Sequence, residues 1–200
     1  MFRVRPADVD GTWESNDARY RQYAHRLLAE LLEQCRQVMA TWPVGCGPQL
    51  VDAEATHKDL WELTRLRDRT SDTVRIYAAM SLEGYLNFYG VLRLGQQAYE
   101  KAFERLPIVT KLKRLLFTCD ALHLSDSHEL VARLTFVANS RNGLVHPRAI
   151  EVVGDPKLHA RSSTPVPGEA VSVVEGMEAF FAAFAVAVPA MSSHLRRDVT

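Results

Sequence analysis

ELVARLTFVANSRNGLVHP, residues 129–147, reads as one amphipathic helix closed by a proline. Leu130, Leu134, Val137 and Ala138 recur at three- and four-residue steps, and Leu144 and Val145 continue the apolar side inward. Ser125 and Asp126 stand just ahead of His128-Glu129, where a side-chain oxygen can cap free backbone N–H groups. Pro147 has no N–H to continue the ladder, so the helix is expected over 128–146. Asn142 and His146 are four residues apart and project from one side. Arg141 precedes His146 by five residues, about 140° around a regular helix at roughly 100° per residue. On a strict helix the two heads diverge, but the arginine is long and Pro147 biases His146 away from the α region, so the last turn need not be regular and the heads can converge.

The same period extends outward in both directions. Tyr20, Tyr23, Leu27, Leu28, Leu31, Leu32, Cys35, Val38 and Met39 form a single stripe behind a Ser15-Asn16-Asp17 cap, ending near Trp42-Pro43. Two glycines and two prolines in PVGCGPQLVDA, residues 43–53, mark a loop. A long helical region follows over 56–94, and Arg69-Thr70-Ser71-Asp72 is a place where it can divide, with Ser71 or Asp72 as the new cap. Gly84 and Gly90 inside that region each cost about 1 kcal/mol against alanine, which predicts close helix packing there. A short helix over 96–106 should end at Pro107, and a further one should cover 110–122. Residues 150–153 allow a short extended piece, and 157–168 are turn-rich. The final helix is expected over 170–192.

No alternating strand pattern or solenoid repeat appears, so the expected fold is all-α, an antiparallel bundle of about five main helices. Residues 1–14 read as a polar, flexible leader and 15–200 as a single domain. The apolar run MEAFFAAFAVAVPAM, residues 177–191, is shorter than the roughly 20 residues of a spanning helix and is interrupted by Glu178 and Pro189. It reads as a buried core helix, with Phe180, Phe181, Phe184 and Val188 facing the core or a dimer partner. No membrane association is expected.

Charge is balanced at 24 Lys plus Arg against 24 Asp plus Glu, so no global field draws the chain to nucleic acid, and any RNA contact must use a local patch. Basic clusters occur at Lys101, Arg105, Lys111, Lys113 and Arg114, and at Arg65, Arg67 and Arg69; such runs are usually solvated helix faces. Three unpaired-looking cysteines and an N-terminus without an apolar core region point to a reducing cytoplasm. The histidines show no metal-ligand spacing, and GxxxxGK[ST], GxGxxG and GxSxG are absent from the sequence, so no metal or cofactor is expected.

Arg141-Asn142-x-x-x-His146-Pro147 at a helix end resembles the R-x4-6-H signature of the HEPN superfamily. The upstream SLEGYLN, residues 81–87, looks like the helix bearing an acidic residue and an Asn that precedes the signature in many members. The resemblance covers residues 70–150. It implies a bundle of four or five helices, frequently dimeric, and in catalytic members a metal-independent endoribonuclease of the toxin or defence type. His146 would then serve as general acid or base and Arg141 would hold the scissile phosphate through its forked donors. Asn142 would orient either, with Glu83 and Asn87 as a supporting polar shell. RNA or a nucleotide, a second copy of the chain, and an antitoxin or other regulatory protein are the partners implied. Two other readings stand beside this one. A non-catalytic HEPN module would bind nucleotide, RNA or protein with the same pocket. An unrelated helical adaptor would bury Arg141 and His146 in structural bonds, with Glu83 free to pair with Arg141, and would expose the face from Phe180 to Val188 to a partner.

Overall fold

The computed structural model describes residues 16–41, 58–145 and 167–192, and every regular element among them is helical. Helix α1 (Asn16–Thr41) buries Leu31 and Val38 of the predicted stripe together with Ala24, with Leu27, Leu28 and Cys35 at the margin, while Tyr23, Leu32 and Met39 of that stripe are exposed. It lies antiparallel on α2 (Lys58–Leu94), the central helix. Tyr20 and Tyr23 pack on Tyr77 at ring-centroid distances of 5.8 and 5.3 Å, and the Ser81 hydroxyl donates to the Asp17 carbonyl at 3.1 Å.

Helix α2 runs unbroken for 37 residues, so the division expected at 69–72 does not occur. The two expected caps are otherwise placed, Ser71 buried inside the helix bundle and Asp72 3.6 Å from Arg75, and the threonines on either side bond backward. Thr70 Oγ1 donates to the Leu66 carbonyl at 3.0 Å and Thr73 Oγ1 to the Arg69 carbonyl at 2.7 Å. Such bonds to the preceding turn satisfy the hydroxyl without interrupting the backbone ladder. The rest of the segment is held by burial, with Thr70, Ser71, Val74 and Arg75 all inside.

At Gly95 the chain takes φ 82°, a conformation glycine adopts without strain, and turns into α3 (Gln96–Ala102). That helix stops four residues short of the expected Leu106. Phe103 and Glu104 both donate to the Tyr99 carbonyl, closing a turn before Pro107. Pro107 then starts α4 (Ile108–Asp120), two residues earlier than expected. Here proline stands at the N-cap in extended backbone (ψ 141°), where its missing N–H costs nothing and its carbonyl accepts the Lys111 N–H at 2.8 Å. Ala121, left-handed at φ 55°, ends α4 with the Leu122 N–H reaching the Leu116 carbonyl at 3.1 Å.

Helix α5 (Glu129–Val145) begins behind a different cap from the one expected. His128 Nδ1 accepts the Leu130 N–H at 3.2 Å, while the Ser125 and Ser127 hydroxyls bond each other. Helix α6 (Pro167–Ala187) and a 3-10 turn (Pro189–Met191) complete the bundle. By length and composition α6 could cross a membrane, yet its inner face is packed into this core. Tyr85 meets Phe181 and Phe184 edge-on at 5.3 and 5.1 Å, and Tyr89 meets Phe184 at 5.3 Å. Each fully buried Phe contributes roughly 1.5–3 kcal/mol, with a further increment from edge-to-face geometry. Apolar packing therefore outweighs the few polar bonds that α6 makes.

Helices α2 and α6 run parallel and α5 antiparallel to both, as the contacts Arg75 to Ser140 and Glu169, and Gly176 to Phe136, require. This register places the last turns of α5 beside the middle of α2.

Candidate functional site

Arg75 fixes that register. It is 6% exposed, and its guanidinium donates from Nε to Ser140 Oγ at 2.7 Å and from Nη2 to the Ser140 carbonyl at 3.0 Å and Glu169 Oε1 at 2.8 Å. Ser140 Oγ in turn donates to Glu169 at 3.2 Å. One side chain thus ties α2, α5 and α6 together at the residue immediately before Arg141. Asp72, 3.6 Å from Arg75 Nη1, is driven above the usual carboxylate value by burial, which the arginine only partly offsets.

Beside this lock a groove of about 370 Å³ opens between α2, α5 and the start of α4. Ala79 and Glu83 form its floor, Thr135, Ala138, Asn139, Arg141 and Asn142 one wall, and Leu106, Pro107, Ile108 and Val109 the other. Three of the residues singled out by the sequence, Glu83, Arg141 and Asn142, therefore line one surface. Arg141 is half-buried and its Nη1 donates to Asn142 Oδ1 at 3.0 Å, leaving the other donors of the fork uncommitted among the described residues. No ion pair joins Glu83 to Arg141 among the described residues. His146, the expected acid or base, lies outside the described residues.

Asn87, one turn beyond Glu83, does not line the groove. Its Oδ1 accepts from the Tyr99 hydroxyl at 2.5 Å and from Lys111 Nζ at 2.8 Å, tying α2 to α3 and α4. Lys111 is only 2% exposed, so this member of a basic cluster is buried and not on a solvated face. Burial pulls its ammonium below the usual lysine value, and the charges of Glu83 and Glu104 counter that in part. Tyr99 is pushed up to about 12 by burial and by the same two carboxylates. Other members of the basic clusters are locally neutralised, Lys113 by Asp126 and Arg67 by Asp68 at 2.7 Å.

Sequence reasoning did not find Thr135, Asn139 or the α4 start. Thr135 and Asn139 sit four residues apart and three before Asn142 on one face of α5, a spacing that could have marked them as a polar ladder. The α4 start at Ile108 lies two residues ahead of the expected 110 because a helix can begin directly after Pro107. Its first turn has no side-chain cap, and Ile108 and Val109 of that turn line the groove. Nor did the sequence mark Arg75, whose three partners are distant in the chain.

Among the described residues, no group of three or more His, Cys, Asp or Glu side chains comes together as a metal site. A comparison with protein-family models, curated proteins and solved structures finds no match to this chain.

Proposed function

We propose that the groove binds RNA and that the protein is a HEPN-like, metal-independent endoribonuclease acting through Arg141 and His146. The observation that carries the reading is that Glu83, Arg141 and Asn142, picked out by a motif resemblance on two separate helices, line a single groove. Arg141 is half-buried with free donors, the condition under which a guanidinium grips a phosphate through paired hydrogen bonds. Asn142, bonded to Arg141, orients that fork. The groove narrows the field around a single arginine, which a chain with balanced net charge needs if it is to hold an anion.

In the reaction the ribose 2′-oxygen attacks phosphorus, the P–O5′ bond breaks, and a 2′,3′-cyclic phosphate and a 5′-hydroxyl result. One proton leaves the 2′-hydroxyl and one reaches the departing 5′-oxygen. His146 serves one of these transfers, a duty suited to an imidazole near neutral pH. Arg141 neutralises charge on the phosphate oxygens as the fifth bond forms. Asn87 supports the site at one remove, by holding the α2, α3 and α4 contacts beneath it. A toxin or defence role, with a second copy of the chain and a restraining protein as partners in the cytoplasm, belongs to the same proposal.

Glu83 favours a second reading, a binding module without hydrolysis, because a carboxylate on the groove floor offsets the arginine's charge. A labelled, structured RNA incubated with purified protein in EDTA separates the two. Cleavage by the wild type, lost in Arg141→Ala and His146→Ala with folding intact, supports the nuclease. No cleavage by the wild type on several RNAs overturns it in favour of the binding module, and equal cleavage by the variants overturns the roles given to Arg141 and His146.

A further inference from the structure

The groove has two chemically different ends. Arg75 bonded to Ser140 fixes the level of Arg141 along α2. Glu83 lies eight residues further along that helix, roughly 12 Å at 1.5 Å per residue. Because α5 runs antiparallel, Thr135 is carried toward the Glu83 end while Arg141 and Asn142 stay at the other. The backbone levels that carry the cationic and the acidic side chains thus lie roughly 12 Å apart along α2, a span that one nucleotide can bridge once both side chains reach into the groove. Between them, Pro107, Ile108 and Ala138 supply apolar surface for the faces of a ring. The volume, about 370 Å³, lies at the low end of small-ligand pockets, which span roughly 300–1,000 Å³.

Glu83 decides which base. Its carboxylate lines the groove with no hydrogen bond or ion pair among the described residues, its charge reaching the buried Lys111 only from beyond ion-pair distance. A carboxylate only accepts. Along their pairing edges adenine, cytosine and uracil each set a donor beside an acceptor, so one of the two would face a carboxylate oxygen lone pair to lone pair. Guanine alone presents two adjacent donors, N1–H and N2–H. Unpaired bases of single-stranded RNA are read along this edge.

We propose that the Glu83 end of the groove is a guanine subsite, with Glu83 accepting from N1–H and N2–H while Arg141 takes the phosphate of the same nucleotide. The assignment rests on the reading of the groove as an RNA site and adds the base that it selects. Thr135 and Asn139 flank the base, and Pro107 and Ile108 cover one face.

The test is calorimetric titration of the full-length protein in EDTA with guanosine, adenosine, cytidine and uridine 3′-monophosphates, wild type beside Glu83→Gln. The expected result is guanosine monophosphate bound at least about tenfold tighter than the other three, the discrimination typical of one bidentate base contact. Glu83→Gln sets an amide donor against a guanine donor and should abolish the preference, with an unchanged circular-dichroism spectrum. Equal affinities, no saturable binding, or a guanine preference that survives in Glu83→Gln would each overturn the subsite. Guanine preference without RNA cleavage keeps the subsite and removes the nuclease. Cleavage without base preference does the reverse.

Discussion

Gly90 sets two general rules against each other. In a helix interior, alanine is more favourable than glycine by about 0.8–1 kcal/mol, so Gly90→Ala should stabilise α2 if propensity decided. At this position a Cβ would stand 2.4 Å from Tyr99 Cδ2, 2.6 Å from Cε2 and 3.2 Å from Leu115 Cδ2. Carbon atoms rest at about 3.5–4.0 Å, so the ring must move by an ångström or more. Tyr99 is not free to move. It is 3% exposed and its hydroxyl holds Asn87, which also holds the buried Lys111. Overpacking of this kind costs about 1–3 kcal/mol, and loss of the tyrosine hydrogen bond adds about 1. Against the propensity gain, Gly90→Ala should lose about 1–3 kcal/mol net. Gly143→Ala is the control. Nothing lies within 4 Å of its would-be Cβ on helix α5, so propensity acts alone and a gain of about 0.5–1 kcal/mol is expected. Urea unfolding at constant m reads both. A Gly90→Ala protein as stable as wild type would refute the close approach of α3 to α2 through the Tyr99 ring.

Arg75→Met keeps the apolar stem but removes three hydrogen bonds, two to Ser140 and one to Glu169. Glu169 is 41% exposed and can rehydrate, so the loss should be about 2–4 kcal/mol, toward the lower part of the range for breaking a buried pair. Amide hydrogen exchange at 141–145 should accelerate with it, and unchanged exchange would show that α5's last turn is anchored elsewhere. Burial disfavours the charged form of Glu178, but hydrogen bonds from Arg21 and His25 outweigh it and hold the carboxyl below its ordinary 4.5. A depressed folded-state value means stability that is present above pH 4.5 and lost as pH falls through the folded value. Glu178→Gln should therefore be less stable than wild type at pH 7, with the gap closing toward pH 3; a constant gap across that range would contradict the pairing.

Much of the fold was legible because the helices are amphipathic. Leu31 and Val38 on α1 and the Phe180, Phe181, Phe184 face needed only the period of 3.6 to be placed inside, whereas Leu32 and Met39, counted in the same stripe, point outward at its edge. What misled the reading was residues with two local uses. Ser71 and Asp72 can cap a helix or lie within one, and only packing against neighbouring elements and Arg75 selects the second. Pro107 can end a helix or begin one, and the turn at Phe103 decides it. In the candidate site, Glu83 and Asn87 share a helix face, yet α3 and α4 claim Asn87 and leave Glu83 to the groove. Spacing along one helix could not reveal which neighbour takes which residue. Arg75 was illegible for the same reason, since its partners come from α5 and α6.

The measurement that tests the central claim most directly is the chemistry of the RNA ends left by the protein in EDTA. The account predicts 2′,3′-cyclic phosphate ends from the wild type, none from Arg141→Ala or His146→Ala at equal folded concentration, and no cut where the attacking ribose is 2′-deoxy. Products with 3′-hydroxyl and 5′-phosphate ends, or cleavage that persists past a 2′-deoxy position, would contradict it.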